Sequence, residues 1–449
     1  MLKRYSGHII FICITLFTNW LLWEVGCGIT PDSAAYLSTA QSLATNGNFI
    51  QYNNTVFTNW PILYPILLSA YKLIGIELQQ WVLVLNSLVL MISLFIITRN
   101  NYQTTHTWLM IGICLSYPLI KFMVHALSET VFIALWLMLL FVLNKWITNK
   151  QNKHFYLIII LGACLCLQRY AGIFIVLSVG CCLFYYHQQF KKAIVFTGFA
   201  LLPVVSNLFI NLQIPQEYGM MNRLKGENKF WVLSKNITQL FHPTYIFILL
   251  LILALIIWCA YHLKSIKNKT SFVKTAYFVM LVYALASITT FSIMPDELLR
   301  YYMVLLPVMV YIFIQHQPFT IPPKIIYVVA ILFVLSGVAA LVDIHKNGPG
   351  GYNKTGYKNE TLKNYLAANA NTFALSNAPD YLYALGSYRS NFVSAQKEIL
   401  QLQLQQHQGP IIWVKQVRPY LNQSQIWMEE LNVFTKKDYG SFMVYEPLR

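Results

Sequence analysis

Gly28-Ile29-Thr30-Pro31-Asp32-Ser33-Ala34-Ala35-Tyr36 is the stretch on which the reading of this chain turns. It follows a first long apolar segment, and Asp32 is the only acidic residue between Glu24 and Glu77. A carboxylate standing alone at the end of an apolar segment has three ordinary roles: general base, metal ligand or helix cap. Downstream, apolar residues recur at Ala34, Leu37, Ala40, Leu43 and Ala44, the spacing of an amphipathic helix lying in the membrane interface. Asp32 or Ser33 is then the N-cap of that helix and Gly47 its stop. The next landmark is Trp60-Pro61-Ile62-Leu63-Tyr64-Pro65.

The surrounding composition says what solvent the chain lives in. Hydrophobic residues make up 57% and charged residues 11%, against about 25% charged in a soluble domain. Mean hydropathy is +0.52. The chain therefore reads as a polytopic α-helical membrane protein. The formal net charge of +16 is placed on basic loops facing anionic lipid rather than on nucleic-acid binding. The eight cysteines lie nearly all in apolar segments, none after Cys259, and no histidine accompanies them at zinc-ligand spacing. They read as small membrane-core residues.

A spanning helix needs about 20 mostly apolar residues. Segments of that kind run over 8–26, 78–98, 107–124, 129–147, 155–168, 170–188, 193–212, 243–262, 273–293, 299–316 and 325–342. Lys3, Arg4, Arg99, Lys145, Lys150, Lys153, Lys191, Lys192, Lys264, Lys267, Lys269 and Lys324 all fall on one side of this arrangement, which makes that side cytoplasmic. The N-terminus is then cytoplasmic and the C-terminal tail extracytoplasmic. Two choices keep that parity. The stretch 61–76, with Pro61 and Pro65, is read as an interfacial or re-entrant helix. The apolar run 155–186 is divided at Gln168-Arg169, because a single span would bury Arg169 in hydrocarbon at roughly 2.5–3.5 kcal/mol.

Past Val342 the composition changes at Gly348-Pro349-Gly350-Gly351. Beyond it, helices over 362–369, 378–385, 396–405 and 425–431 alternate with strands over 372–376, 410–414 and 442–445. This is the pattern of a small α/β domain over 343–449, attached to a transmembrane domain over 1–342.

The same topology gathers one set of polar residues on the outer side: Asp32, Ser128-Glu129, Arg169-Tyr170, the loop 213–242 with Arg223, Lys225, Lys229 and Lys235, and Asp296, Glu297 and Arg300. Ionisable residues beside spans tend to line pathways or sites. Each also has a plainer reading. Glu129 at the start of a span suits the helix dipole, Arg300 can pair Asp296 one turn away, and Arg169 has the same two readings. His125 and Glu129, four residues apart, are too few for a metal site.

Taken in series, Pro31-Asp32-Ser33-x-x-Tyr36, Trp60-Pro61-x-x-Tyr64-Pro65, Ser128-Glu129-Thr130, Arg169-Tyr170 and Arg300-Tyr301 before Pro307 resemble bacterial glycosyltransferases of the GT-C type, in the branch of protein O-mannosyltransferases and aminoarabinose transferases (family 39-like). The tail motif Ser376-Asn377-Ala378-Pro379-Asp380-x-Leu382-Tyr383 is similar to the outer domain of members of this group. The resemblance implies an enzyme of the bacterial cytoplasmic membrane with about eleven spans. It implies a sugar donor linked to polyprenyl phosphate, an acceptor hydroxyl on a glycan, lipid or protein, and transfer at the outer face. Asp32 takes the position of the catalytic base. Arg300 and Arg169 are candidates for the donor phosphate. Tyr36, Trp60, Tyr64, Glu129, Asp296 and Tyr301 are expected around the site. No organic cofactor is implied, and a divalent metal is possible. The chain differs from protein O-mannosyltransferases in carrying one acidic residue at Asp32 where they show Asp-Glu. The rival reading is a non-enzymatic transporter or flippase of lipid-linked sugars. Repeated halves and mid-span ionisable residues, which mark transporters, are not evident in the sequence.

Overall fold

The computed structural model describes residues 2–58, 60–99, 104–212, 257, 271–290, 300–316, 322–354, 357–394, 396–415, 417, 421–431 and 433–448. The expected span 243–262, the basic loop 213–242 and Asp296 lie outside these residues, apart from the single position 257.

The chain is a polytopic helical membrane protein with a small sheet domain at its C-terminus. Its helical part comprises α1 (Leu2–Leu22), α2 (Pro31–Asn46), α3 (Leu63–Ser69), α4 (Tyr71–Ile74), α5 (Leu78–Thr98), α6 (Thr104–Cys114), α7 (Tyr117–Val124), α8 (Glu129–Asn149), α9 (Asn152–Gln168), α10 (Gly172–Tyr185), α11 (Phe190–Leu212), α12 (Ser271–Thr290), α13 (Leu305–His316) and α14 (Pro323–Asn347). Among the described residues, α5, α8, α11 and α14 are long and apolar enough to cross a membrane, and the bent pair α6 and α7 makes a fifth. Shorter apolar helices correspond to the other expected segments within these residues.

The expected single span at 107–124 is in fact broken. α6 and α7 meet at 58°, with Pro118 in the first turn of α7, where its missing N–H costs nothing. The break is covered by α14. The Ser336 hydroxyl accepts from the Tyr117 N–H at 3.2 Å, and a Cβ on Gly337 would overlap the Leu115 carbonyl oxygen. The run 155–186 does part after Gln168, leaving Arg169 between α9 and α10. The stretch 61–76 forms only the two short helices α3 and α4.

Helix α2 departs from expectation in two respects. Its N-cap is Thr30, whose hydroxyl accepts from the Ser33 N–H at 3.3 Å; Pro31 follows in the first turn, and Gly47 closes the helix at φ 72°. Asp32 is therefore not the cap. Nor is α2 a surface helix, since every residue from Ser33 to Ala40 is buried. Its small residues let α3 pack on one side and the C-terminal domain on the other.

That domain holds α15 (Glu360–Ala368), β1 (Ala374–Ser376), α16 (Pro379–Gly386), β2 (Ser390–Phe392), α17 (Lys397–Gln406), β3 (Ile411–Val414), α18 (Asn422–Glu430), β4 (Phe434–Asp438) and β5 (Phe442–Pro447). The strand order is β2-β1-β3-β5-β4. β1 runs parallel to β2 and β3, while β5 runs antiparallel to β3 and β4. Period-two alternation builds a core on each face. Ile412 and Val414 pack with Leu362, Leu366 and Leu382, and Ile411 and Trp413 with Leu400 and Met428. β2 and β4 were not expected. β2 has three residues, and β4 reads Phe-Thr-Lys-Lys-Asp with four exposed positions, an edge strand kept polar.

Candidate active site

The first turn of α2, the first turn of α8, the break between α9 and α10, and the helical stretch Arg300–Gln315 meet at one place. Each contributes one charge. Glu129 is fully buried, and its Oε1 accepts from both Arg169 and Arg300. Arg300 also reaches outward, its Nη1 standing 3.3 Å from Oδ2 of Asp32. The result is an alternating chain: Asp32, Arg300, Glu129, Arg169. Side-chain exposure is 29% at Asp32, 20% at Arg300, 0% at Glu129 and 11% at Arg169, so the chain is open at Asp32 and closed from Glu129 inward. The carboxylate at the open end can meet an incoming group, whereas the buried one between the two arginines is committed to both guanidiniums. Both carboxylates sit in the first turn of a helix, where the exposed N–H groups favour negative charge.

Supporting residues hold this chain in place. Arg169 lies 4.9 Å from the centroid of the Tyr301 ring, and its Nη1 donates to the Ser128 hydroxyl at 3.4 Å. The Tyr36 ring packs edge-on against Tyr64 at 5.2 Å and against Trp60 at 5.9 Å. Thus Tyr36, Trp60, Tyr64, Glu129, Arg169, Arg300 and Tyr301 do gather with Asp32. The described partners of Arg300 are Asp32 and Glu129.

Two supporting residues escaped the sequence reading. Gln168, fully buried, donates to the Ser128 carbonyl at 3.0 Å. Asn86, fully buried on α5, donates to the carbonyls of Met123 and His125 at 3.0 Å each and accepts from the Tyr64 hydroxyl at 3.4 Å. An amide in the middle of the apolar run 78–98, past Gln79 and Gln80 at its start, was the available signal for Asn86. His125 is structural: its Nδ1 lies 2.6 Å from the Lys121 carbonyl, and its ring fills the space that a side chain at Gly28 or Gly350 would need. Desolvation pushes its imidazole down to about 4.

Among the described residues no three His, Cys, Asp or Glu side chains converge, and the cation between the two carboxylates is Arg300. An open carboxylate beside a guanidinium can accept a proton from a hydroxyl while the guanidinium binds an anion.

This arrangement of helices and C-terminal sheet has the fold of a solved bacterial protein, ArnT. The chain is similar to the crystal structure of ArnT from Cupriavidus metallidurans bound to undecaprenyl phosphate, with a TM-score of 0.63 and 8% identity over 98% of each chain. It is also similar to the apo state of that protein, with a TM-score of 0.60 and 11% identity over 97% of each chain. No family model matches the sequence, and no curated protein does.

Proposed function

We propose that this chain is a glycosyltransferase of the bacterial cytoplasmic membrane. It moves a sugar from a polyprenyl-phosphate-linked donor to an acceptor hydroxyl of a glycan, lipid or protein at the outer face. The observation that carries this reading is the half-open Asp32 carboxylate, paired to an arginine whose other arm is anchored on a buried glutamate. The fold adds support, since a solved structure sharing it holds undecaprenyl phosphate. The gathering of Lys and Arg on one set of loops supports a cytoplasmic N-terminus and an outer C-terminal domain over 343–449.

The chemistry follows from the charges. The acceptor oxygen attacks the anomeric carbon and its proton passes to Asp32. The bond from that carbon to the phosphate oxygen breaks, and polyprenyl phosphate leaves as an anion. Such a leaving group needs positive charge rather than a proton. Arg300, with Arg169 behind it, supplies that charge through its planar fork. A phosphate that engages Arg300 competes with Asp32 for the same Nη1, so donor binding loosens the base for its task. Asp32 also stabilises the positive charge that develops on the sugar ring.

The test is transfer by the purified full-length protein in lipid vesicles. It uses undecaprenyl-phosphate-linked pentoses and hexoses with lipid, glycan and peptide hydroxyl acceptors. Formation of a glycosidic product supports the reading. Movement of the donor lipid between leaflets without any product would favour a flippase instead.

A further inference from the structure

Asp380 and Tyr383 of the tail motif are both linked to the segment that carries Asp32, Asp380 through Tyr352 and Tyr383 directly. Asp380 is fully buried in the C-terminal domain and accepts from the Tyr352 hydroxyl at 2.7 Å. Tyr352 in turn donates its backbone N–H to the Ile29 carbonyl at 2.7 Å, three residues ahead of Asp32. Asn353 donates its side-chain amide to the Cys27 carbonyl at 2.6 Å. The approach is close enough that Gly351, at φ 58°, has no room for a Cβ beside the Ile29 carbonyl. On the opposite flank the Gly28 N–H donates to Val124 at 2.9 Å, and the Ala126 N–H donates to Gly28 at 3.0 Å. Residues 27–30 are therefore the middle of a three-stranded patch, with the domain linker as one flank.

Farther along α2 the same domain makes a second attachment. The Tyr383 hydroxyl donates to Oε1 of Gln41 at 3.0 Å, and its ring lies 6.3 Å from that of Tyr52. Tyr52 donates its N–H to the Ser38 hydroxyl of α2 at 2.9 Å and accepts from the Ser390 N–H at 3.2 Å. Helix α2 is thus held ahead of its first turn through Asp380 and Tyr352, and about three turns later, at Gln41, through Tyr383.

We propose that Asp380 and Tyr383 are positioning residues: the C-terminal domain clamps α2 at both points and so fixes Asp32 opposite Arg300. A base must be held to a fraction of an ångström to be effective. The kinetic part of this proposal rests on Asp32 being the base; the structural part does not.

The experiment uses full-length protein in nanodiscs, comparing wild type with Tyr352→Phe, Tyr383→Phe and the control Tyr445→Phe, whose hydroxyl lies elsewhere in the same domain. Backbone hydrogen exchange over residues 27–37 should rise roughly three- to tenfold in the first two variants, the scale of one net hydrogen bond. Exchange in β1, β3 and β5 should be unchanged. The control should leave 27–37 as in wild type. With the undecaprenyl-phosphate sugars that wild type turns over, the two variants should lower kcat and leave KM within about twofold, the pattern of an interaction felt only in the transition state.

Unchanged exchange over 27–37 in both variants overturns the clamp. Raised exchange with unchanged kcat overturns positioning, provided Asp32→Asn is inactive. If Asp32→Asn retains full transfer, the base assignment fails while the exchange data still decide the clamp. Loosening of the sheet in one variant passes the decision to the other; loosening in both makes the residues structural and contradicts the proposal.

Discussion

Arg300 holds Asp32 and Glu129 at once, its Nη1 3.3 Å from the Asp32 carboxylate and its Nε on Oε1 of Glu129. One guanidinium therefore joins a half-open carboxylate to a buried one, and the two ends respond differently to substitution.

At the buried end, Glu129→Gln removes the anion between two guanidiniums that remain close together and poorly hydrated. Breaking a buried pair from one side costs about 3–5 kcal/mol. The expected outcome is a clear fall in thermal midpoint in detergent, along with loss of transfer. A midpoint equal to wild type would show that the buried pairs carry no stability.

Arg300→Ala is expected to behave in the opposite way. Arg169 still pairs Glu129, so the fold tolerates the change better than Glu129→Gln. The anion site, however, loses its outer arm. KM for the phosphate-linked donor should rise by roughly ten- to a hundredfold, the scale of a charge-assisted contact worth about 1.5–3 kcal/mol. Arg300→Lys should recover only part of this, because an ammonium keeps the charge without the fork. Full recovery by lysine would remove the bidentate argument.

The helix that carries Asp32 begins at Thr30. Thr30→Ala should therefore cost about 1 kcal/mol of stability, whereas Asp32→Asn should cost less, since Asp32 caps nothing. Thermal midpoints of the two variants in the same detergent test the order. A larger loss from Asp32→Asn would return Asp32 to a structural role.

His125 links stability to pH. Desolvation lowers its folded value to about 4, against 6.5 for a free imidazole; Lys121 and Arg300 act in the same direction, and the Lys121 carbonyl and Glu129 oppose them. The unfolded chain then takes up the proton first. Stability from this group is complete above pH 6.5 and declines as pH falls toward 4, by at most about 1.4 kcal/mol per unit. A His125→Gln variant should show a flatter midpoint-versus-pH curve between pH 6.5 and 4. An unchanged slope would assign the dependence to other groups.

Much of this architecture was legible in the sequence because the bilayer imposes it. Long apolar runs had to be helices, and Arg169 could not sit at mid-span, so α9 and α10 part beside it. The unbroken apolar run Ile411–Val414 gave the buried centre of the C-terminal sheet. What could not be read depends on contacts distant in sequence. Helix α2 is buried between α3 and a domain more than 300 residues away, so its spacing alone looked like that of a surface helix. Thr30 took the cap because Pro31 suits the first helical turn, a preference that outweighed the carboxylate. β4 is an exposed edge whose residues carry no apolar period. In the site, parity of the basic loops put Asp32, Glu129, Arg169 and Arg300 on one side. Only the fold shows that Glu129 is the buried hub and Asp32 the open end. Gln168 and Asn86 were missed because their partners are backbone carbonyls on other helices, which leave no motif.

The most direct measurement is the rate of sugar transfer by Asp32→Asn, set beside its binding of undecaprenyl phosphate. Asparagine keeps the shape and removes the proton acceptor. The account predicts a fall in kcat of about a hundredfold or more, the scale of general base catalysis, with lipid-phosphate binding within a few-fold of wild type. Transfer at the wild-type rate by Asp32→Asn would contradict it.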